Sequence, residues 1–217
     1  MLADNDLLSI QQARILAENA AGAQKRLAAF PQCKLDEIVE AMADAVEQHA
    51  QELAVMSQEE TDYGCWQDKL RKNLFVCRQV RQALRGQVCV GVLPRGGDGS
   101  QFDVGVPLGV IVALSPVTSP VSTTVNTALL AVKTGNAVLF SPHPRAARSI
   151  RRVLEIMRGA AEQRGLPEGC LAWLDPVAKS GTEALFRHPV TSLILLTGVE
   201  GMLEAARRSL RAYRNEV

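Results

Sequence analysis

Apolar positions fall at helical spacing through the first third of the chain. Leu7, Ile10, Ala13/Arg14 and Ala17 begin an i, i+3, i+4 series that runs to about Ala29, and Pro31 closes it. A second helix is expected from about Leu35 to Gln58, with Ile38, Ala41/Met42, Ala45/Val46, His49 and Leu53 on one stripe. A third, about Gln67 to Leu84, carries Leu70, Leu74, Val76/Cys77, Val80 and Leu84, and Gly86 suits the position past its end. At Gln87 the period changes. Gln87–Leu93 and Gln101–Val104 read as strands joined across Pro94–Gly99, a β-hairpin with a long glycine-rich loop.

From Gly109 onward short apolar runs alternate with amphipathic ones. Strands are expected at Gly109–Leu114, Ala137–Phe140, Leu171–Leu174 and Ser192–Leu196. Helices follow them at about Val121–Lys133, Arg145–Arg164, Lys179–Phe186 and Gly201–Arg214. This is the pattern of an α/β fold, a Rossmann-like parallel sheet of βα units with right-handed crossovers. The chain then divides into a helical segment (1–86), a β-hairpin (87–106) and a Rossmann-like region of βα units (107–217). Such sheets bind ligands at the carboxyl ends of their strands. Three segments fall there: Ser115–Pro120, Ser141–Arg145 and Thr197–Gly201.

Charge and composition exclude several classes. The chain has 217 residues, 47% hydrophobic and 22% charged, which suits a globular core and not a disordered tail. Lys+Arg number 24 against 23 Asp+Glu, so there is no cationic excess to bind nucleic acid through phosphates. The longest apolar run, Val104 to Leu114, is interrupted and too short to span a bilayer, so no membrane partner is expected. The polar N-terminus shows no secretory signal, which makes the cytoplasm the default location. The five cysteines (Cys33, Cys65, Cys77, Cys89, Cys170) show no CxxC spacing, and neither a disulfide framework nor a metal site is expected. They read as small buried hydrophobes.

Each loop at a strand end admits two readings. Thr118, Ser119 and Ser122 offer hydroxyls at a helix start, either for an anion or simply as helix caps. In Ser141-Pro142-His143-Pro144-Arg145 two prolines stiffen the loop. His143 and Arg145 then stand at a helix start where a phosphate would find both charge and dipole, or they are merely surface side chains. Thr197-Gly198 either lets a ligand approach the backbone or makes a tight turn.

Several of these segments resemble one family. Glu60-Thr61-Asp62-Tyr63-Gly64 with Asp68-Lys69-Leu70-Arg71-Lys72-Asn73 resembles the "ETGMG…DKxxKN" signature of CoA-acylating aldehyde dehydrogenases. Pro107–Ile111 is similar to its "P-x-G-x-I", and Ser115–Pro120 to its "P-x-T-N-P". Lys133–Ala137 through Phe140–Ala146 is similar to "KTxNAxxFSPHPRA", and Leu196-Thr197-Gly198 with Gly201-Met202 to "ATGGPGM". The match runs in order from about residue 7 to about residue 206.

The resemblance implies a reaction: an aldehyde adds to a cysteine thiolate, NAD(P)+ is reduced, and the acyl group passes to CoA. It implies NAD, or NADP, as cofactor and CoA as co-substrate. Thr118 would lie near the nicotinamide and the catalytic pocket, with Ser119 beside it. Ser141, His143, Pro144 and Arg145 would line the adenosine-diphosphate path, which CoA would share, and Thr197 and Gly198 the pyrophosphate side. Three departures stand out. Ser119 replaces the asparagine of "TNP". Val199 and Glu200 replace small residues where backbone should approach a pyrophosphate. The nucleophilic cysteine of the family has no counterpart here, so catalysis is expected only when a cysteine-bearing domain is supplied, by a partner chain or otherwise. A non-catalytic nucleotide-binding or assembly module of the same descent is the alternative. Homo-oligomers through the hairpin are expected, and a bacterial microcompartment is the other location the resemblance implies. The last helix should bury Met202/Leu203, Ala206, Leu210 and Tyr213 on one stripe, with Arg207, Arg208, Arg211 and Arg214 on a solvated face.

Overall fold

The computed structural model describes residues 4–94, 101–198 and 200–214, with residue 200 and residues 210–214 described by backbone alone. The helical first third forms α1 (Asn5–Leu27), α2 (Gln32–Gln48), α3 (Ala50–Thr61) and α4 (Trp66–Phe75), then a π-helical turn (Val76–Val80) and the short α5 (Arg81–Leu84). A hairpin of β1 (Gly91–Leu93) and β2 (Asp103–Gly105) follows, with Val92 opposite Val104. The glycine-rich tip expected between them lies outside the described residues. The βα units are β3 (Val110–Leu114), α6 (Pro120–Lys133), β4 (Ala137–Ser141), α7 (Ala147–Gln163), β5 (Leu171–Trp173), α8 (Lys179–Arg187), β6 (Thr191–Leu196) and α9 (Glu200–Arg214). The four strands are parallel in the order β5-β4-β3-β6. The Rossmann-like α/β fold read from the periodicity is the fold observed.

Two expected helices are broken. The long helix 35–58 is divided at His49, whose backbone leaves the helical region (φ −105°, ψ 8°) and starts α3 in a new direction. Asn73 Nδ2 then holds the Ala50 carbonyl at 3.2 Å, which fixes α3 against α4. The helix expected over 67–84 widens at Val76–Val80. From within the wide turn onward, Arg78, Arg81 and Arg85 meet Glu47, Asp44 and Glu40 of α2 as a ladder of ion pairs. Neither break has a Gly or Pro to announce it, because both depend on partners in another helix.

Every residue of β3 and β4 is buried, so both faces of the sheet need cover. Helices α6 and α7 lie together under an outer layer of α2, α3 and α4. The other layer is α8 together with α1, which also touches β3, β4 and β5. Ala13, Ala17, Ala20 and Ala23 make the buried stripe of α1, and their small size lets its backbone come close to the sheet. The same helix meets α8 at Gly181, where an added Cβ would strike the Ser9 hydroxyl and stand 2.8 Å from the Ser9 Cβ and 2.9 Å from its backbone carbon.

Gln32 holds the root of the hairpin. Gln32 Oε1 accepts the amides of Cys89 (2.7 Å) and Val90 (3.1 Å), while its Nε2 donates to Asp36 (2.8 Å) and to the Lys133 carbonyl (3.2 Å). Asp36 also receives the buried Lys133 ammonium at 2.6 Å.

Two stability outcomes follow from this packing. Gly181→Ala should cost about 1–3 kcal/mol by overpacking, because the added Cβ would meet the Ser9 hydroxyl, its Cβ and its backbone carbon together. Gly159→Ala, in mid-α7 with open space around it, should gain about 0.5–1 kcal/mol. Urea denaturation of the two variants would show the opposite signs. Glu40 is held below its ordinary value of 4.5, chiefly by the Arg85 hydrogen bond, and Glu52 likewise by Arg152. A depressed folded value means full stability above the unfolded pKa and loss as pH falls through the folded one. The thermal midpoint should therefore decline below pH 4.5, and decline less steeply in Glu40→Gln, as calorimetry across that range would register.

Candidate functional site

The carboxyl ends of β3 and β4 carry matching hydroxyl pairs. Ser115 Oγ lies 2.8 Å from Thr124 Oγ1 on α6, and Ser141 Oγ lies 2.8 Å from Thr182 Oγ1 on α8. Each strand end is thereby pinned to a helix, and all four hydroxyls are buried. Above them opens a groove of about 160 Å3, lined by Leu114, Ser115, Ser141, Pro142, His143, Pro144, Val177, Ala178, Lys179, Thr182 and Met202. Its walls are mostly apolar, and its polar groups are few and fixed, the character of a small-molecule site.

Of the residues read as binding candidates, Ser141, His143 and Pro144 meet in this groove. His143 Nδ1 accepts the Arg145 amide at 3.1 Å, so the ring proton sits on Nε2 as a donor. Burial, aided by the Arg145 charge, holds His143 below its ordinary 6.5, which keeps the imidazole neutral at pH 7.

Arg145 does not join them. Its guanidinium donates to the Thr61 carbonyl at 3.2 Å and lies over the Tyr63 ring, 5.9 Å from the centroid. The helix start expected to attract a phosphate is also filled. The Glu60 carboxylate accepts the amides of Arg148 and Ser149 (both 2.8 Å) and the Ser149 hydroxyl (2.6 Å), so it neutralises the positive end of α7. Neither the dipole of α7 nor the Arg145 charge is turned to the groove.

Thr118 and Ser119 lie in the loop between β3 and α6, outside the groove lining. Thr118 is exposed, and its carbonyl accepts from Lys69 Nζ at 3.0 Å. Ser119 holds the cap position of α6 but caps no amide; its Oγ sits 3.3 Å from Thr123 Oγ1. Thr197 and Gly198 are exposed at the end of β6, with Gly198 at φ +67° and an added Cβ there only 3.1 Å from Pro116. The loops after β3 and β6 are thus in contact. The expected hindrance from Val199 and from the Glu200 side chain lies outside the described residues, as do the side chains of Leu210, Arg211, Tyr213 and Arg214.

The cysteines divide by environment. Burial pushes the Cys77 and Cys170 thiols up to about 12, which leaves them inert. Cys33 and Cys65 are exposed, contrary to the expectation of buried hydrophobes. Cys65 stands at the cap position of α4, and its Sγ donates to Asp68 Oδ2 at 3.2 Å.

Three contributors went unread in the sequence. Glu60 belongs to a recognised motif, but its partner lies 88 residues away. Thr182 meets Ser141 only through the crossover. Lys179 did carry a local signal: a lysine at the first position of a helix opposes the macrodipole, and such a conflict marks a position held for another reason.

The model of the aldehyde dehydrogenase family matches residues 2–209. The bifunctional aldehyde-alcohol dehydrogenase AdhE of Escherichia coli is 33% identical over 93% of this chain, which spans 23% of that protein. Among solved structures, a probable aldehyde dehydrogenase from Listeria monocytogenes superposes with a TM-score of 0.92 at 40% identity, over 95% of this chain and 46% of its own. An acetylating aldehyde dehydrogenase from Geobacillus thermoglucosidasius gives 0.92 at 39% identity, over 96% and 46%. The chain therefore spans about half the length of the solved relatives and a quarter of the bifunctional one. With its ordered motifs, its sheet order and this groove, the chain belongs to the aldehyde dehydrogenase family and corresponds to the N-terminal half of the acylating members.

Proposed function

We propose that this chain is the nucleotide-binding half of a CoA-acylating aldehyde dehydrogenase, with the groove at the ends of β3 and β4 taking the adenosine end of NAD, or of NADP. The observation that carries the reading is the place and character of that groove. It opens at the carboxyl ends of a parallel sheet whose order reverses beside β3, where doubly wound folds take nucleotides. Leu114, Pro142, Val177 and Met202 offer apolar walls to a flat base. His143 Nε2–H is a neutral donor, and Lys179 supplies a cation for a phosphate or ribose.

In this reading Thr118 and Ser119 face the nicotinamide end, while Thr197 and Gly198 flank the pyrophosphate. A bound nicotinamide supplies the oxidising end of the reaction, and CoA takes the acyl group. The thiolate comes from a cysteine-bearing half, in the same protein or a partner chain. Cys77 and Cys170 are too deeply buried to supply it. The free cysteines accord with a reducing cytoplasm, or with a microcompartment inside it.

The same proposal includes a homodimer through the hairpin. Val92 and Val104 oppose each other and are 64% and 58% exposed. Phe102 and Val106 share the Val104 face at 72% and 74%. An apolar two-stranded ribbon is marginal alone, and a second copy would cover it.

Calorimetry with AMP, NAD+ and NADP+ tests the groove. The chain should bind all three, and Ala178→Leu, which fills the groove mouth, should weaken each about ten-fold, about 1.4 kcal/mol, with the fold intact. Absence of binding at millimolar concentration would reject the groove and leave the assembly module. Sedimentation at micromolar concentration should show a dimer that Val104→Glu converts to monomer; a wild-type monomer at high concentration would reject the hairpin interface.

A further inference from the structure

The deepest unexplained charge near the site is Lys69. It is 6% exposed, and among the described residues no carboxylate pairs with its ammonium. Taking an ammonium out of water without a counter-ion is costly, and an apolar side chain of the same length would pack there more cheaply. Burial and the neighbouring Lys72 lower the Lys69 pKa, as that environment demands. The hydrogen bond Lys69 does make runs to the Thr118 carbonyl at 3.0 Å.

Both ends of this contact are informative. On one side, Lys69 stands on a fixed base: Asn73 of the same helix holds the Ala50 carbonyl, and the Trp66 amide at its start donates to Gln58 Oε1 at 2.6 Å. On the other side is an irregular loop. Residues 115–119 belong to no helix or strand, Pro116 and Pro120 lack amide donors, and Ser119 caps no amide of α6.

We propose that Lys69 is a positioning residue: its buried ammonium tethers the Thr118 carbonyl and so sets where the β3–α6 loop meets the nicotinamide end of the bound nucleotide. The inference rests on the nucleotide reading of the site. It adds a residue that touches neither the nucleotide nor the adenosine groove. The lysine of the "DKxxKN" segment thereby acquires a specific task at a distance of 49 residues.

The test compares Lys69→Met and Lys69→Arg with the wild type. Lys69→Met should weaken NAD+ about ten-fold, the order of a charge-assisted hydrogen bond, and leave AMP unchanged, because AMP fills the adenosine groove alone. Lys69→Arg keeps a donor and should recover most of the loss. Equal weakening of AMP and NAD+, or no weakening of either, overturns the proposal. Amide hydrogen exchange without ligand reads the tether by itself. Residues 115–123 should exchange about ten-fold faster in Lys69→Met while α2 and α7 keep wild-type rates, and unchanged exchange in that loop overturns the proposal as well. A wild type that binds no nucleotide refutes the functional reading, and the exchange experiment then still decides the tether. Should Lys69→Met fail to fold, the comparison moves to Lys69→Arg and Lys69→Gln.

Discussion

A parallel sheet whose central strands are buried throughout cannot leave either face in water, and the rest of this structure answers that demand. The crossovers place α6 and α7 together and α8 on the other side. One crossover helix is too little for that second face, and α1 completes it. This explains the composition of α1. A helix that must lie close to a sheet and beside α8 needs small residues on its inner stripe, hence the alanines at 13, 17, 20 and 23 and the Ser9–Gly181 contact. The Ser9 hydroxyl, donating to the Pro176 carbonyl at 2.7 Å, locks the same contact to the loop that leads into α8.

The family motif around the α3–α4 turn is a set of fasteners. Glu60 closes the start of α7, Thr61 receives Arg145, Lys69 holds Thr118, and Asn73 holds α3. The Glu60 carboxylate, the Thr61 carbonyl and the Lys69 ammonium thus reach the segments that follow β3 and β4, the place where a parallel sheet presents its ligands. The neutral His143 and the capped α7 leave the groove with modest charge. Shape and a few directed donors then do more than electrostatics to select what enters it.

Much of the fold was legible because it is written in local periods. The strands at 110–114, 137–141, 171–173 and 191–196 follow apolar runs, and Gly135 and Gly165 stop α6 and α7 at positive φ. The breaks at His49 and Val76 were not legible, since each is set by side chains on a neighbouring helix and not by a breaker in the sequence. The site followed the same rule. Ser141, His143 and Pro144 could be read because strand-end loops meet ligands by topology. The local context of Arg145, a helix start, said nothing of the carbonyl and ring on α3 and its following turn that hold it. Thr182 and Glu60 act across 41 and 88 residues, and no window along the chain contains both partners.

The amide of Gln32 has two lone pairs and two N–H groups, and the structure uses all four. A saturated amide has no alternative orientation: rotated by half a turn, it would set donors against donors and an oxygen against Asp36. The hairpin root is therefore latched and not hinged. It cannot swing by degrees against α2, because releasing Cys89 and Val90 also frees the side chain that bridges Asp36 and the end of α6. A load on the ribbon at Cys89 and Val90 passes through Gln32 to Asp36 and to the end of α6 at once.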